Sequence, residues 1–250
     1  MTGVGSSAPS EQVSALTSVV WQVAQQEPAT SLSMVPEIRR IIKASQDAQV
    51  ARKLLAFVRQ VEALDPEERR LFTASIDEVQ IRSKLWLIDE LVGCRDLGGT
   101  TMVVLGAWYG ILPWLLDLRL ECPPTWMVCV DVSTEAVRLG HQVIGPLCAN
   151  IVYLVADAME LNYTGLARQP SPVLVNTICE HLPDVPGWWA QVPAGQLTIL
   201  QSNNYAQCPD HVNCVDDVEQ MKAQTPMSEL LFQGELKLPI FDRFMLVGRR

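Results

Sequence analysis

A short glycine-containing turn and an acidic residue further along the chain have the spacing of a nucleoside-binding site. The turn comprises residues 106–110, GAWYG, between a strand-like apolar run and a helix-like run. Glycine lets the backbone approach a ligand closely, and the N-terminus of the following helix favours a carboxylate or phosphate. Asp131 ends the next apolar run, 25 residues after Gly106. A carboxylate at this position can accept hydrogen bonds from two ribose hydroxyls.

A second acid follows the third apolar run. Asp157 is placed to accept a hydrogen bond from an adenine amino group, while Met159 packs on the ring. Open α/β sheets bind ligands at the carboxyl ends of adjacent strands, where these residues are expected. The alternative is that the glycines are structural turn residues and the acids cap helices. The residues predicted to bind the nucleoside are Gly106, Ala107, Trp108, Tyr109, Gly110, Asp131, Val132, Asp157, Ala158 and Met159.

Polar residues follow the fourth and fifth apolar runs on the same predicted rim. Asn176 can hold an amino group or a carboxylate, and Glu180 and His181 can accept a proton. Asn203 and Tyr205 offer neutral hydrogen-bonding groups, which suit the orientation of a small polar substrate. For Glu180 and His181 the alternative is that they cap the next helix or pair with each other. These five residues are the predicted catalytic set.

The segment 208–214 has the sequence CPDHVNC, and its Cys-x-x-His-x-x-Cys pattern offers three zinc ligands. Cys179 or His181 could complete a set of four. The spacing is not that of a standard zinc finger, and the segment also reads as an ordered loop before a helix. The sequence analysis therefore predicts no metal.

The secondary structure predicted around these residues changes near Gly98, from helices alone to alternating strands and helices. Before it, amphipathic helical patterns predict a helical cap over residues 12–97, preceded by a disordered polar tail, residues 1–11. One helix start, at Asp65, has an acidic cap followed by proline and two glutamates. The other predicted cap helices span residues 13–25, 34–46, 50–63 and 76–91.

After Gly98, strands and helices alternate, which indicates a parallel sheet covered on both faces. The predicted strands are 101–105, 126–130, 151–155, 173–175 and 197–200, with helices at 108–120, 134–144, 186–191 and 216–223. Two further strands, 228–236 and 241–247, form a closing antiparallel hairpin. The expected α/β domain spans residues 98–250.

Composition limits the partners. The formal charge of −9 and scattered basic residues argue against nucleic acid, which is bound by basic faces. No apolar run reaches the roughly 20 residues that span a bilayer, and the N-terminus lacks a secretory signal. Seven cysteines, an odd count, suit reduced thiols. We expect a cytoplasmic protein with a small-molecule substrate and no membrane partner, and a homodimer is compatible with the sequence.

Residues 101–250 resemble the class I S-adenosylmethionine (SAM)-dependent methyltransferases in the glycine turn, the two acids and the terminal hairpin. The resemblance implies a Rossmann-like sheet of seven strands in the order 3-2-1-4-5-7-6, and SAM as cofactor or substrate. One departure is that Trp108 and Tyr109 stand between only two glycines, where the family has three closely spaced ones. The pair either narrows the methionine pocket and faces the sulfonium or packs under the first helix.

Longer motifs resemble a smaller set within that class, which includes the azetidine-2-carboxylate synthases. They are QIRSKLWL at 80–87, NTICEHL at 176–182, LQSNNY at 200–205 and HVNC at 211–214, with GEL at 234–236 and RFM at 243–245. These enzymes close the aminobutyryl part of SAM into a four-membered ring, releasing methylthioadenosine, in secondary metabolism. The resemblance also implies a helix lying over the cofactor, on which Lys84 would bind the methionyl carboxylate or else be a solvated surface residue.

Three functions are compatible with this pocket. The first is cyclisation of SAM, with the helical cap as a lid that excludes water. The second is methyl transfer to an outside small molecule, with Glu180 or His181 as the base. The third is a SAM-sensing module without catalysis, against which the polar rim argues. Likeness to the synthases favours cyclisation.

Overall fold

The computed structural model describes residues 48–167 and 172–250. The chain divides into two compact units, Met1–Arg82 and Ser83–Arg250. The tail and the helices predicted at 13–25 and 34–46 lie outside the described residues. The role of the helical segment as a lid stays a prediction. No helix in the described part of the chain is long and apolar enough to cross a membrane.

The described part of the first unit contains two helices, α1 (Ala48–Glu62) and α2 (Pro66–Thr73), followed by a 3-10 turn (Ala74–Ile76). The predicted helix start at Asp65 is confirmed. Asp65 accepts a hydrogen bond from the Glu68 backbone at 2.9 Å, and the Glu68 carboxylate accepts one from the Asp65 backbone, which forms a capping box.

Helix α3 (Glu78–Cys94) crosses the boundary between the units, and its residues from Ser83 onward belong to the second unit. It runs through Gly93, where the sequence predicted it to end. A side chain at Gly93 would meet nothing within 4 Å. A glycine inside a helix costs only about 1 kcal/mol, which packing readily offsets.

The rest of the second unit alternates strands and helices as predicted. Its elements are β1 (Thr101–Leu105), α4 (Ile111–Arg119), β2 (Trp126–Asp131), α5 (Thr134–Val143), β3 (Ile151–Val155), a 3-10 turn (Tyr163–Ala167), β4 (Val173–Asn176), a 3-10 turn (Cys179–His181), α6 (Val185–Gln191), β5 (Leu197–Asn203), α7 (Val218–Gln224), β6 (Glu229–Lys237) and β7 (Asp242–Arg249).

These strands form one seven-stranded sheet in the order β3-β2-β1-β4-β5-β7-β6. Strands β1 to β5 are parallel, and β7 pairs antiparallel with both β5 and β6. The fold is therefore the Rossmann-like α/β fold with a terminal hairpin that the sequence predicted. Its parallel strands all end at one edge, which brings together the residues that follow them.

The middle of the sheet is buried on both faces. Every residue of β4 and β5 is buried, including the polar residues that end them, Asn176 and Asn203. Both strands run further than predicted, because Asn176 continues the ladder with Leu105, and Asn203 continues it with Arg243. The two asparagines are thus held by strand hydrogen bonding rather than by loops.

Candidate active site

The glycine turn, residues 106–110, joins β1 to α4. Gly106 and Gly110 have φ angles of +63° and +82°, a region that disfavours side chains. A side chain at Gly106 would overlap Ile178, and one at Gly110 would overlap the Tyr153 hydroxyl. Helix α4 begins at Ile111 rather than at Trp108, because Gly110 is left-handed and serves as the N-cap. The glycines are therefore required by close packing as well as by turn geometry.

Trp108 also has a positive φ, +51°, the only such non-glycine residue in the described part of the chain. Bulky residues seldom adopt this conformation, and the strain tends to accumulate at functional sites. The Trp108 ring stacks on Tyr109 at 5.0 Å and 26°. Tyr109 is buried, and burial raises its pKa. Tyr109 therefore packs inside the domain, and Trp108 is the half-buried member of the pair.

Asp131 links the glycine turn to the next helix. One carboxylate oxygen accepts a hydrogen bond from the Trp108 backbone at 2.8 Å, and the other accepts one from the Ser133 backbone at 2.9 Å. A carboxylate accepts about four hydrogen bonds, so each oxygen retains capacity for a ligand hydroxyl. Beside it, Val132 is 70% exposed and presents an apolar side chain at the same edge.

Asp157 lies just past β3 and is exposed. Its carboxylate accepts a hydrogen bond from the Met159 backbone at 2.8 Å, and the Ala156 backbone is tied to the Asp131 carbonyl at 3.0 Å. Ala158 is buried, while Met159 is partly buried and packs on the core under α6. The two predicted acids thus lie at the ends of neighbouring strands.

Asn176 ends β4 with its side chain fully buried. Its amide oxygen accepts a hydrogen bond from the Ile178 backbone at 2.9 Å, whereas its amide nitrogen has no partner among the described residues. A buried donor without a partner costs about 1–3 kcal/mol. Such a donor is suited to an acceptor group on a bound molecule.

Asn203 ends β5, and both ends of its amide are engaged. Its nitrogen donates to Glu180, and its oxygen accepts from the Tyr205 backbone at 2.9 Å. Tyr205 is half-buried, and its ring stacks on Phe241 at 5.6 Å. Asn203 therefore fixes Tyr205 and Glu180 in place rather than pointing a free amide into the pocket.

Glu180 is buried beside Arg243, which the sequence singled out only as part of the motif at 243–245. The Arg243 guanidinium lies 3.4 Å from one Glu180 carboxylate oxygen, while the other oxygen is buried without a partner in the described chain. The Glu180 carbonyl accepts hydrogen bonds from the Val212 and Asn213 backbones, both at 2.9 Å. Asp184, not Glu180 or His181, caps helix α6.

His181 and His211 meet beside Glu180. Their rings are perpendicular, with centroids 4.6 Å apart. The Nδ1 atoms contact backbone carbonyls, that of His181 at Asp210 (3.0 Å) and that of His211 at Tyr205 (2.8 Å). The sequence singled out His211 as a member of the Cys-x-x-His-x-x-Cys pattern and of the motif at 211–214, but not as a catalytic residue.

Helix α3 contacts the end of the sheet next to this rim. The Ser83 hydroxyl donates to the Gln201 side-chain oxygen at 3.3 Å, and the Gln201 amide donates back to the Ser83 carbonyl at 3.3 Å. Both side chains are buried. Lys84 follows Ser83 on this helix and is half-buried. Its role toward a carboxylate stays a prediction.

The proposed zinc ligands of the 208–214 segment do not gather around one point. Among residues 48–167 and 172–250, the group of His, Cys, Asp or Glu residues close enough to share a metal ion is Glu180, His181 and His211. Cys179 is buried, and burial raises its pKa, which disfavours the thiolate that binds metals.

Three solved structures are similar to this chain in fold. The N-methyltransferase NodS from Bradyrhizobium japonicum WM9 in complex with S-adenosyl-L-homocysteine has a TM-score of 0.53 and 10% identity, covering 79% of this chain and 99% of NodS. A geranyl diphosphate methyltransferase in complex with GPP and sinefungin has a TM-score of 0.52 and 15% identity. The match covers 76% of this chain and 85% of that enzyme. The [4+2]-cyclase SpnF has a TM-score of 0.52 and 11% identity. The match covers 68% of this chain and 80% of SpnF.

These likenesses establish the fold, which this chain shares with methyltransferases and with a cyclase. At 10–15% identity they do not establish a shared activity. No family model and no curated protein matches the sequence.

Proposed function

We propose that this chain is a SAM-dependent enzyme whose nucleoside site lies at the carboxyl ends of β1, β2 and β3. The observation that carries the proposal is the Asp131 carboxylate, bound to the backbone of the glycine turn and retaining capacity for ribose hydroxyls. Neighbours of this fold were solved with S-adenosyl-L-homocysteine and sinefungin, which supports the choice of ligand.

The ligand is proposed to lie along this edge with its adenosine over β2 and β3. Asp131 takes the ribose, while the exposed side chain of Val132 packs on the adenine and Asp157 accepts from its amino group. The methionyl end then extends toward the end of β4. There the unpartnered Asn176 amide nitrogen donates to the carboxylate of the ligand.

The reaction we propose is intramolecular displacement within SAM. The neutral α-amine attacks the γ-carbon of the aminobutyryl chain, forming a C–N bond. The C–S bond breaks, and its electron pair stays on sulfur to give neutral methylthioadenosine. The product is azetidine-2-carboxylate, protonated on its ring nitrogen. Beforehand, the substrate ammonium must lose one proton, which passes to the solvent.

The protein's main contribution to this reaction is orientation. Holding the nitrogen, carbon and sulfur near a line can supply up to about 7–11 kcal/mol of the barrier. Tyr205 is the proposed acceptor for an N–H of the amine, and Asn203 is a positioning residue because it holds the Tyr205 backbone. The half-buried Trp108 is the residue we propose to face the sulfonium.

Support for cyclisation comes from the resemblance of the sequence motifs to those of a set that includes the azetidine-2-carboxylate synthases. The fold also serves a ring-forming enzyme, the [4+2]-cyclase SpnF. Methyl transfer to an outside acceptor is the second candidate. It is favoured by one observation: the exposed His181 ring lies on the rim beside His211, where it is accessible as a base.

Incubation with SAM labelled on its methyl group separates the two functions. Cyclisation keeps the label on the nucleoside product, methylthioadenosine, and releases azetidine-2-carboxylate with no other substrate added. Methyl transfer leaves an unlabelled nucleoside, S-adenosylhomocysteine, and requires an acceptor. Absence of turnover with SAM alone, in protein that binds SAM, would contradict cyclisation.

A further inference from the structure

Three potential metal ligands converge where the loops after β4 and β5 meet. One carboxylate oxygen of Glu180 and one ring nitrogen each of His181 and His211 lie within 4.8 Å of one another. Glu180 and His181 are adjacent in sequence, and His211 comes from the loop after β5. Two histidines and one carboxylate form a ligand set that binds zinc or iron with open coordination positions.

The hydrogen bonds of both histidines prepare them for a metal. A backbone carbonyl can only accept, so the Nδ1 atoms of His181 and His211 carry the protons that face Asp210 and Tyr205. Each Nε2 atom therefore holds a free electron pair. Metal-binding histidines usually donate their other ring N–H to a carbonyl or carboxylate, which fixes the tautomer and the ring orientation.

Glu180 supplies an independent observation. Its side chain is 2% exposed, and one carboxylate oxygen has no hydrogen-bond partner among the described residues. Its other oxygen is held by Asn203 and faces Arg243 at 3.4 Å. A buried carboxylate oxygen without a partner is costly, and a cation bound by Glu180 together with the two imidazoles would offset that cost.

We propose that Glu180, His181 and His211 bind one divalent first-row transition metal, with zinc as the best fit. The two imidazoles disfavour magnesium and calcium, which take oxygen ligands. Tetrahedral zinc places its ligand atoms roughly 3.4 Å apart. The three atoms lie within 4.8 Å of one another, so they must close in by up to about 1.4 Å. The exposed His181 ring has the freedom to do so.

The proposal does not rest on the proposed cyclisation of SAM, because it concerns metal binding alone. It also departs from the sequence analysis, which predicts no metal. A metal here would occupy the lone pairs that His181 and His211 would otherwise use as bases. The open coordination positions would face an oxygen or nitrogen group of a small molecule on the rim.

The test is titration of the untagged, intact chain with cobalt(II), a coloured substitute for zinc, followed by competition with zinc. The expected result is one bound equivalent with a visible absorption band that zinc abolishes. His181→Ala and His211→Ala should each weaken binding at least tenfold. His141→Ala is the matched control, because His141 is the remaining histidine of the chain and lies on α5, away from the rim.

Two outcomes would overturn the proposal. One is no stoichiometric cobalt or zinc binding by the folded wild-type chain. The other is binding that survives His181→Ala and His211→Ala but is lost in Cys208→Ser or Cys214→Ser, which would assign the metal to the cysteines. Since His181 is exposed, its variant should fold, and circular dichroism of each variant checks this.

Discussion

At the scale of single residues, Asp131 is the side chain on which the proposed ligand site depends. It already holds the glycine turn and the start of α5 through backbone hydrogen bonds. We expect Asp131→Ala to weaken SAM binding by roughly ten- to hundredfold or more, because charge-assisted hydrogen bonds contribute about 1.5–3 kcal/mol each. Calorimetric titration measures this effect.

Glu121→Gln is the matched control for Asp131→Ala. It removes one exposed acid from the loop before β2, at the opposite edge of the sheet. Its SAM affinity should equal that of the wild type. Unchanged affinity in a folded Asp131→Ala variant would refute the ribose assignment.

Gly106 allows a second residue-scale prediction. A side chain there would overlap Ile178 and would adopt a φ of +63°. We expect Gly106→Ala to lower the free energy of unfolding by about 2–4 kcal/mol, since overpacking and backbone strain add. When Ile178 is also replaced by alanine, Gly106→Ala should lower the free energy of unfolding by less, because the overlap with Ile178 is removed. Urea denaturation measures both losses.

Gly93→Ala is the matched control, because a side chain at Gly93 in α3 meets nothing within 4 Å. It should raise the free energy of unfolding by about 0.5–1 kcal/mol, the helix penalty of glycine. Equal losses from Gly106→Ala in both backgrounds would show that Ile178 does not cover Gly106.

At the scale of elements, the buried Glu180–Arg243 pair joins the turn after β4 to the start of β7. Both side chains are at most 8% exposed. In metal-free protein, we expect Arg243→Met to lower the free energy of unfolding by about 3–5 kcal/mol, because it leaves the Glu180 charge buried and uncompensated. Adding Glu180→Gln to that variant should recover part of the loss.

Lys222→Met is the control for the comparison of Arg243→Met, Glu180→Gln and the variant that carries both changes. It breaks the exposed Lys222–Glu219 pair within α7, which is expected to contribute at most about 1 kcal/mol. Chemical denaturation of all four variants gives the comparison. Strictly additive losses for Glu180→Gln and Arg243→Met would contradict a coupled buried pair.

The elements themselves were largely predictable from the sequence. Strands 101–105 and 151–155 are confirmed as predicted, because continuous apolar runs and the turns between them mark parallel strands. Strand β3 lies at an edge of the sheet, however, with Val152, Leu154 and Val155 exposed. The ends of β4 and β5 were not predictable, since Asn176 and Asn203 are polar residues that only the neighbouring strands reveal as buried. The start of α4 was misplaced because Gly110 and Trp108 adopt left-handed conformations.

The position of a candidate site residue was predictable where it depends only on the end of one strand. The positions of Asp131 and Asp157 at neighbouring strand ends follow from their spacing along the chain. The partnership of Glu180 with Arg243, and of His181 with His211, joins residues far apart in sequence. Such contacts depend on the paths of two loops, which composition and periodicity do not determine.

At the scale of the whole molecule, the exposure of the seven cysteines provides a test of how the sheet is packed. Cys129, Cys148 and Cys179 are buried, and burial raises the pKa of Cys129 and Cys179, so thiolates are scarce there. We expect a thiol reagent to label the exposed Cys122 first and these three only after unfolding. Mass spectrometry of the labelled native chain gives the order. Early labelling of Cys129 would contradict the position of β2 inside the sheet, between β1 and β3.

The central claim is that this fold holds SAM across the ends of β1, β2 and β3. The most direct measurement is a crystal structure of the intact chain grown with S-adenosylhomocysteine. We expect the ribose hydroxyls on the Asp131 carboxylate, the adenine between Val132 and Asp157, and the methionyl carboxylate within hydrogen-bonding distance of the Asn176 amide. A nucleoside bound elsewhere, or this edge empty in crystals saturated with the ligand, would contradict it.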